Sequence, residues 1–123
     1  VIHGDDYDTP DGSCIRDFIH VCDLAEGHVA ALAKMASNRG LVTYNLGTGQ
    51  GHSVKEVVAA FERTTKQKLN RRIGPRRAGD IASTYCDPTF AEHALNWRAS
   101  RTIDDICQDA WHWQQQNPDG YER

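Results

Sequence analysis

The sequence predicts one domain of mixed α/β class, and three observations predict it. Segments rich in β-forming residues alternate with segments of helical period, the helical segments open on recognisable caps, and short connections join them without an internal repeat or low-complexity linker. At 123 residues the chain is the size of a single ordinary domain, long enough to bury roughly two thirds of its unfolded surface around one core. Pattern alone leaves open whether strands and helices alternate or segregate.

Residues 14–21, CIRDFIHV, alternate and are rich in β-formers, which predicts a strand. Asp23 followed by Glu26 reads as a capping pair for a helix over 23–38, with Leu24, His28, Leu32 and Met35 on one face and Asn38 to Gly40 closing it. Val42 to Gly47, VTYNLG, predicts a buried strand that runs into the flexible turn GTGQG. Ser53 and Glu56 form a second capping box, opening a helix whose Val54, Val57, Val58 and Phe61 make an apolar stripe. Asp87 before Pro88 predicts an N-cap with proline at the first helical position, in a short helix with Phe90, Ala91, Ala94 and Leu95 inward. Thr102 and Asp105 start the last helix, where Ile103, Ile106, Ala110 and Trp113 share a face until Pro118.

Composition bounds the function. Hydrophobic residues at 39% and charged residues at 25% belong to a soluble globular protein, and no apolar run approaches the roughly 18 residues of a spanning helix. This predicts no membrane partner. A net charge of −3 gives no general attraction for nucleic acid, although Arg71, Arg72, Arg76 and Arg77 form a local basic run suited to something small. The four cysteines, Cys14, Cys22, Cys86 and Cys107, include no C-x-x-C pair and are expected to be reduced packing residues of a cytoplasmic protein. The chain opens on Val1 without a signal-peptide pattern, which suggests a fragment.

Several candidates for chemistry have a plain structural reading. GTGQG, residues 47–51, stands where a phosphate loop would, but lacks the G-x-G-x-x-G spacing and the Lys-Ser/Thr ending, so a tight turn is expected. The six histidines are scattered and none forms the paired helical pattern of a metal site. Asp17 and His20 would face opposite ways on a strand, and the helical tryptophans Trp111 and Trp113 read as packing.

The segment IGPRRAGDIAS, residues 73–83, has more content. Arginine presents a planar fork matched to phosphate oxygens, so Arg76 and Arg77 together suit a diphosphate. Gly79 lets the backbone turn, and Asp80 can accept hydrogen bonds from a vicinal diol such as a ribose; a solvated pair neutralised by Asp80 is the alternative. Arg16 inside an apolar strand needs a counter-charge, either an anionic ligand or Asp17, Asp23 or Asp80.

RDFIHVCDLAEGH (16–28), YNLGTGQGHSVKEVV (44–58), PRRAGD (75–80) and DAWHWQQQNPDGY (109–121) resemble, in order, the carboxy-terminal substrate-binding part of UDP-glucose (UDP-galactose) 4-epimerases. These are extended short-chain dehydrogenase/reductases, and the resemblance covers essentially all of residues 1–123 as one UDP-sugar domain. It implies a small α/β domain at a cleft lip and a substrate-binding set of Arg16 and Arg77 on the UDP diphosphate and Asp80 on the uridine ribose. His3 stands where the family usually has a phenylalanine near uracil, and Thr84 where a gatekeeper limits the sugar. A small residue at Thr84 implies that a complete enzyme takes both UDP-glucose and UDP-N-acetylglucosamine.

The family's reaction removes hydride from the sugar C4 to a tightly held NAD, lets the 4-keto sugar turn, and returns hydride to the other face. The glycine-rich NAD fingerprint and the Tyr-x-x-x-Lys pair belong to the first half of such enzymes, and neither occurs here. The resemblance therefore implies no catalytic residue, no bound metal and no cofactor site in this chain, with NAD supplied by a missing NAD-binding half. An apolar face uncovered by that loss makes self-association an expectation. A free-standing nucleotide-sugar module and a non-binding structural remnant are the alternative readings.

Overall fold

The computed structural model describes residues 1–37 and 40–121. Two small sheets and four helices build it. Strand β1 (Ile2–His3) pairs in parallel with β4 (Ile73–Gly74), while β2 (Ile15–Asp17) is the middle strand of a sheet, antiparallel to β3 (Gly51–Ser53) and parallel to β5 (Ser83–Thr84). Helices α1 (Val21–Met35), α2 (Val54–Thr65), α3 (Thr89–Leu95) and α4 (Ile103–Gln116) complete the elements of the described residues. Among the described residues no helix is long and apolar enough to cross a membrane.

The two capping boxes form as the sequence predicts. Ser53 and Glu56 exchange hydrogen bonds at the start of α2, and Thr102 and Asp105 do so at α4. The Asp23–Glu26 box does not form. Helix α1 starts two residues earlier, capped by His20, whose Nδ1 accepts the Cys22 amide at 3.0 Å while Nε2 meets Asp109 at 3.1 Å. Asp23 is instead fully buried within the first turn, where its carboxylate accepts the amides of Ser100 at 3.1 Å and Arg101 at 2.9 Å, along with the Arg101 guanidinium. Burial alone would raise that carboxyl's pKa, but these donors outweigh it and hold it below the usual range.

Other expectations need correction. The strand over 14–21 shrinks to β2, because its neighbours β3 and β5 supply ladder partners only for Ile15 to Asp17. The segment 42–47 carries no ladder among the described residues, and Leu41 and Val42 face outward. Helix α1 turns Asp23 and Gly27 inward and leaves Leu32, Met35 and His28 exposed, the reverse of the expected face. A Cβ at Gly27 would meet the Leu46 side chain at 2.9 Å and Trp97 at 3.1 Å, so a small residue sets this approach. Asn38, expected to help close α1, lies outside the described residues. Helix α3 begins after Pro88, one residue later than predicted, with Asp87 accepting the Thr89 amide at 2.9 Å. Phe90 is exposed and stacks on Tyr44, leaving Ala91 and Leu95 as its buried pair. In α4 the buried residue is Cys107, with Trp111 meeting Phe61 of α2 edge-on at 5.8 Å, while Ala110 and Trp113 are exposed.

The core gathers Ala91, Leu95 and Trp97, with Ile19, Ala30, Tyr44 and Leu46 against it. Trp97 is thus a packing residue, and its indole donates to the Asp23 carbonyl at 3.0 Å. All four cysteines are free; Cys14 and Cys107 are buried, but Cys22 is exposed rather than packed.

Candidate functional site

Position 16 lies on the middle strand of its sheet, so its backbone is fixed from both sides. Arg16 pairs across to Thr84 in β5 and to His52 in β3. Its guanidinium donates to the Ile15 carbonyl at 2.7 Å and stands 3.6 Å from the Asp80 carboxylate. Of the counter-charges the sequence allowed, the structure selects Asp80.

Asp80 arrives on the arch that joins β4 to β5. The Asp80 amide donates to the Arg77 carbonyl at 3.2 Å, and Gly79 takes φ +86°, a left-handed turn that a side chain would strain. This turn brings the Arg77 Nε to within 2.9 Å of Asp80 Oδ2. The Arg77 guanidinium therefore holds the Asp80 carboxyl below the usual carboxylate range, with desolvation opposing and Arg16 and His3 adding smaller attractions. One carboxylate thus sits between two cations from separate elements.

His3 joins from β1, where it pairs with Gly74 and its ring meets the Pro75 carbonyl at 3.3 Å. Thr84 is exposed on β5. Arg16 and Arg77 thus both meet Asp80, Thr84 neighbours Arg16 across the β2–β5 ladder, and the charge of His3 reaches Asp80.

Arg76 is not part of that arrangement. Its Nε donates to Asp6 Oδ1 at 2.7 Å and its guanidinium lies over the Tyr7 ring, 4.1 Å from the centroid. The two neighbouring arginines, read from sequence as one diphosphate fork, therefore split between different partners. Sequence reasoning passed over Asp6 and Tyr7; only the acidic run around them hinted at a basic partner, and nothing local named it.

The turn at 47–51 is occupied from within. Asp17 accepts the Thr48 and Gly49 amides at 3.0 and 3.1 Å and the Thr48 hydroxyl at 2.7 Å. Burial pushes the Asp17 carboxyl up, and these hydrogen bonds more than reverse it. Amides already committed to a carboxylate are not free to cradle a phosphate, which agrees with the turn reading. His20 and Asp17, doubtful as an acid/base pair, both serve the backbone.

Comparison with known proteins gives the arrangement its context. Residues 4–110 match the family model described as GDP-mannose 4,6 dehydratase. The UDP-glucose 4-epimerase of Dictyostelium discoideum is 50% identical over 121 residues, a stretch that takes 98% of this chain and 35% of the relative. The crystal structure of UDP-glucose 4-epimerase from Bifidobacterium longum in complex with NAD+ and UDP superposes with a TM-score of 0.93 at 49% identity, over 98% of this chain and 36% of that one. The UDP-Glc/GlcNAc 4-epimerase of Campylobacter jejuni superposes with a TM-score of 0.79 at 41% identity, over 94% of this chain and 35% of the other. This chain spans about a third of the length of the curated relatives it matches. Its helices and small sheets have the mixed α/β fold of one segment of an extended short-chain dehydrogenase/reductase. The chain belongs to the GDP-mannose 4,6 dehydratase family, and the relatives it matches are UDP-glucose 4-epimerases.

Proposed function

We propose that this chain is the UDP-sugar-binding portion of a UDP-glucose 4-epimerase, corresponding to the carboxy-terminal part of the complete enzyme. The carrying observation is the placement of Arg16 and Arg77 on either side of Asp80, at 3.6 and 2.9 Å. Two forked cations suit the oxygens of a diphosphate and a carboxylate suits the hydroxyls of a ribose. On ligand entry the phosphates would replace Asp80 as the partner of the arginines, and the freed carboxylate would accept from the diol. His3 lies on the uracil side and Thr84 on the sugar side. The chain's contribution is to bind and orient the nucleotide, which holds the hexose at the reacting centre.

The residues present do not fit a nicotinamide dinucleotide. The glycine-rich turn at 47–51 spends its Thr48 and Gly49 amides on Asp17, and no tyrosine of the sequence is followed four residues later by a lysine. NAD and the acid/base pair belong on this reading to a further portion of a longer chain. The groove between α1 and residues 40–44, lined by Leu32, Met35, Leu41 and Val42, supports such a neighbour, or self-association when it is lacking.

The test is a calorimetric titration of the 123-residue chain with UDP, beside a double variant Arg77→Ala, Asp80→Ala. Binding by the wild type that the variant loses supports a preformed cradle. A silent titration favours a remnant or a cleft completed elsewhere, and adding back an NAD-binding half then separates those two.

A further inference from the structure

The Arg77 guanidinium hydrogen-bonds and ion-pairs with Asp80, and its side chain is 64% exposed. A long, exposed cation of this kind loses much rotamer freedom when it grips a ligand, so whatever fixes its backbone contributes to affinity. The residue immediately before it is the fixed one. Arg76 donates to both the side chain and the carbonyl of Asp6, and its guanidinium lies over Tyr7. Tyr7 is itself buried, and its amide donates to the Gly12 carbonyl at 2.9 Å, which makes the ring a rigid platform.

Gly4 completes the contact. Its amide donates to the Gly74 carbonyl at 2.9 Å, extending the pairing of β1 with β4 toward the arch. A Cβ there would fall 2.5 Å from the Tyr7 ring and 2.8 Å from the Arg76 side chain, and its φ of +80° disfavours any side chain. Ring, guanidinium stem and backbone therefore close on one another at this point.

We propose that Asp6, Tyr7 and Gly4 form a latch that holds Arg76 and thereby sets the position of Arg77 for the diphosphate. This rests on the UDP-binding reading above. Arg76 is on this view a positioning residue that never touches the ligand. The two arginines divide the labour: one is spent on the protein, and the other is kept for phosphate.

The experiment titrates the 123-residue chain with UDP and, separately, with uridine, which offers no phosphate to Arg77. Wild type, Arg77→Ala, Asp6→Asn, Asp6→Glu and Arg76→Ala are compared, each with a thermal melt. Asp6→Asn and Arg76→Ala are expected to weaken UDP about fivefold and uridine less than about twofold, the cost of an unpositioned side chain. Asp6→Glu should recover most of the loss, and melting should move little for Asp6→Asn because that side chain is exposed. If Arg77→Ala weakens UDP while Asp6→Asn and Arg76→Ala do not, the latch is overturned and the cradle stands. Equal losses for UDP and uridine, or losses that track melting, reduce the latch to a general structural contact and overturn it as well. A wild-type chain that binds UDP indifferently to Arg77→Ala removes the reading of the site and the latch with it; one that binds no UDP is titrated again with an NAD-binding half added back, and silence there removes both.

Discussion

Arg16 and Asp80 face each other at 3.6 Å across the gap between the middle strand of one sheet and an exposed arch. With Arg77 on its other side, Asp80 neutralises the charges proposed to grip phosphate until a ligand displaces it.

Removing that carboxylate charge therefore has opposite effects on two probes. Asp80→Asn frees both guanidinium groups, and inorganic pyrophosphate should bind about threefold more tightly, whereas UDP, which loses the acceptor for its ribose, should bind about tenfold more weakly. Parallel calorimetric titrations check this, and equal weakening of both probes would contradict it.

Thr84 governs sugar size on the same reading. In the complete enzyme, Thr84→Tyr should lower kcat/KM for UDP-N-acetylglucosamine by more than about tenfold and leave UDP-glucose within about threefold, as bulk in a sugar pocket discriminates by fit. Steady-state rates on the two sugars decide it; N-acetyl activity that survives the substitution refutes the gatekeeper role.

Asp23 is the stability counterpart. It is fully buried and joins α1 to the turn before α4 through Ser100 and Arg101. Asp23→Asn keeps the shape but loses the charge that these donors solvate, at a cost of about 2–3 kcal/mol. A melting temperature lower by roughly 10 °C or more is expected for a domain of this size. Differential scanning calorimetry is the measurement.

Acid should unfold the protein through the same groups. Asp17 and Asp23 have pKa values held below their unfolded ones. Their contribution is complete above the unfolded carboxylate range, near pH 4, and is lost as pH falls through the lower folded values. Melting temperature should accordingly be flat from about pH 7 to 5 and drop below about pH 4, with a shallower drop in Asp23→Asn once its lower starting point is subtracted.

What could be read from the sequence was local. The capping boxes at Ser53 and Thr102 form because both partners lie three residues apart and need nothing from the rest of the fold. The pair Asp23 and Glu26 has the same spacing and fails, because donors from residues 100 and 101, distant in sequence, claim Asp23 and leave the cap to His20. Segment 42–47 has strand composition but no ladder partner among the described residues, and composition cannot supply one. At the candidate site, the turn at Gly79 was legible from four adjacent residues, and the Arg77–Asp80 pairing was legible there as the alternative to a ligand-binding pair of arginines. The choice of Asp80 for Arg16, and of Asp6 and Tyr7 for Arg76, depends on strand pairings that join residues 2–16 to residues 73–84. Local spacing carries no trace of them.

The middle position of β2 also bears on time. Strand β2 is hydrogen-bonded along both edges, whereas the turn from Arg77 to Asp80 is closed by one backbone hydrogen bond of 3.2 Å on an exposed arch. Amide exchange should accordingly be slow around Arg16 and fast past Arg77. On the proposed reading one jaw of the cradle would then be stationary while the other swings, and a nucleotide would enter and leave on the Arg77 side, with its residence time set by how often that turn opens.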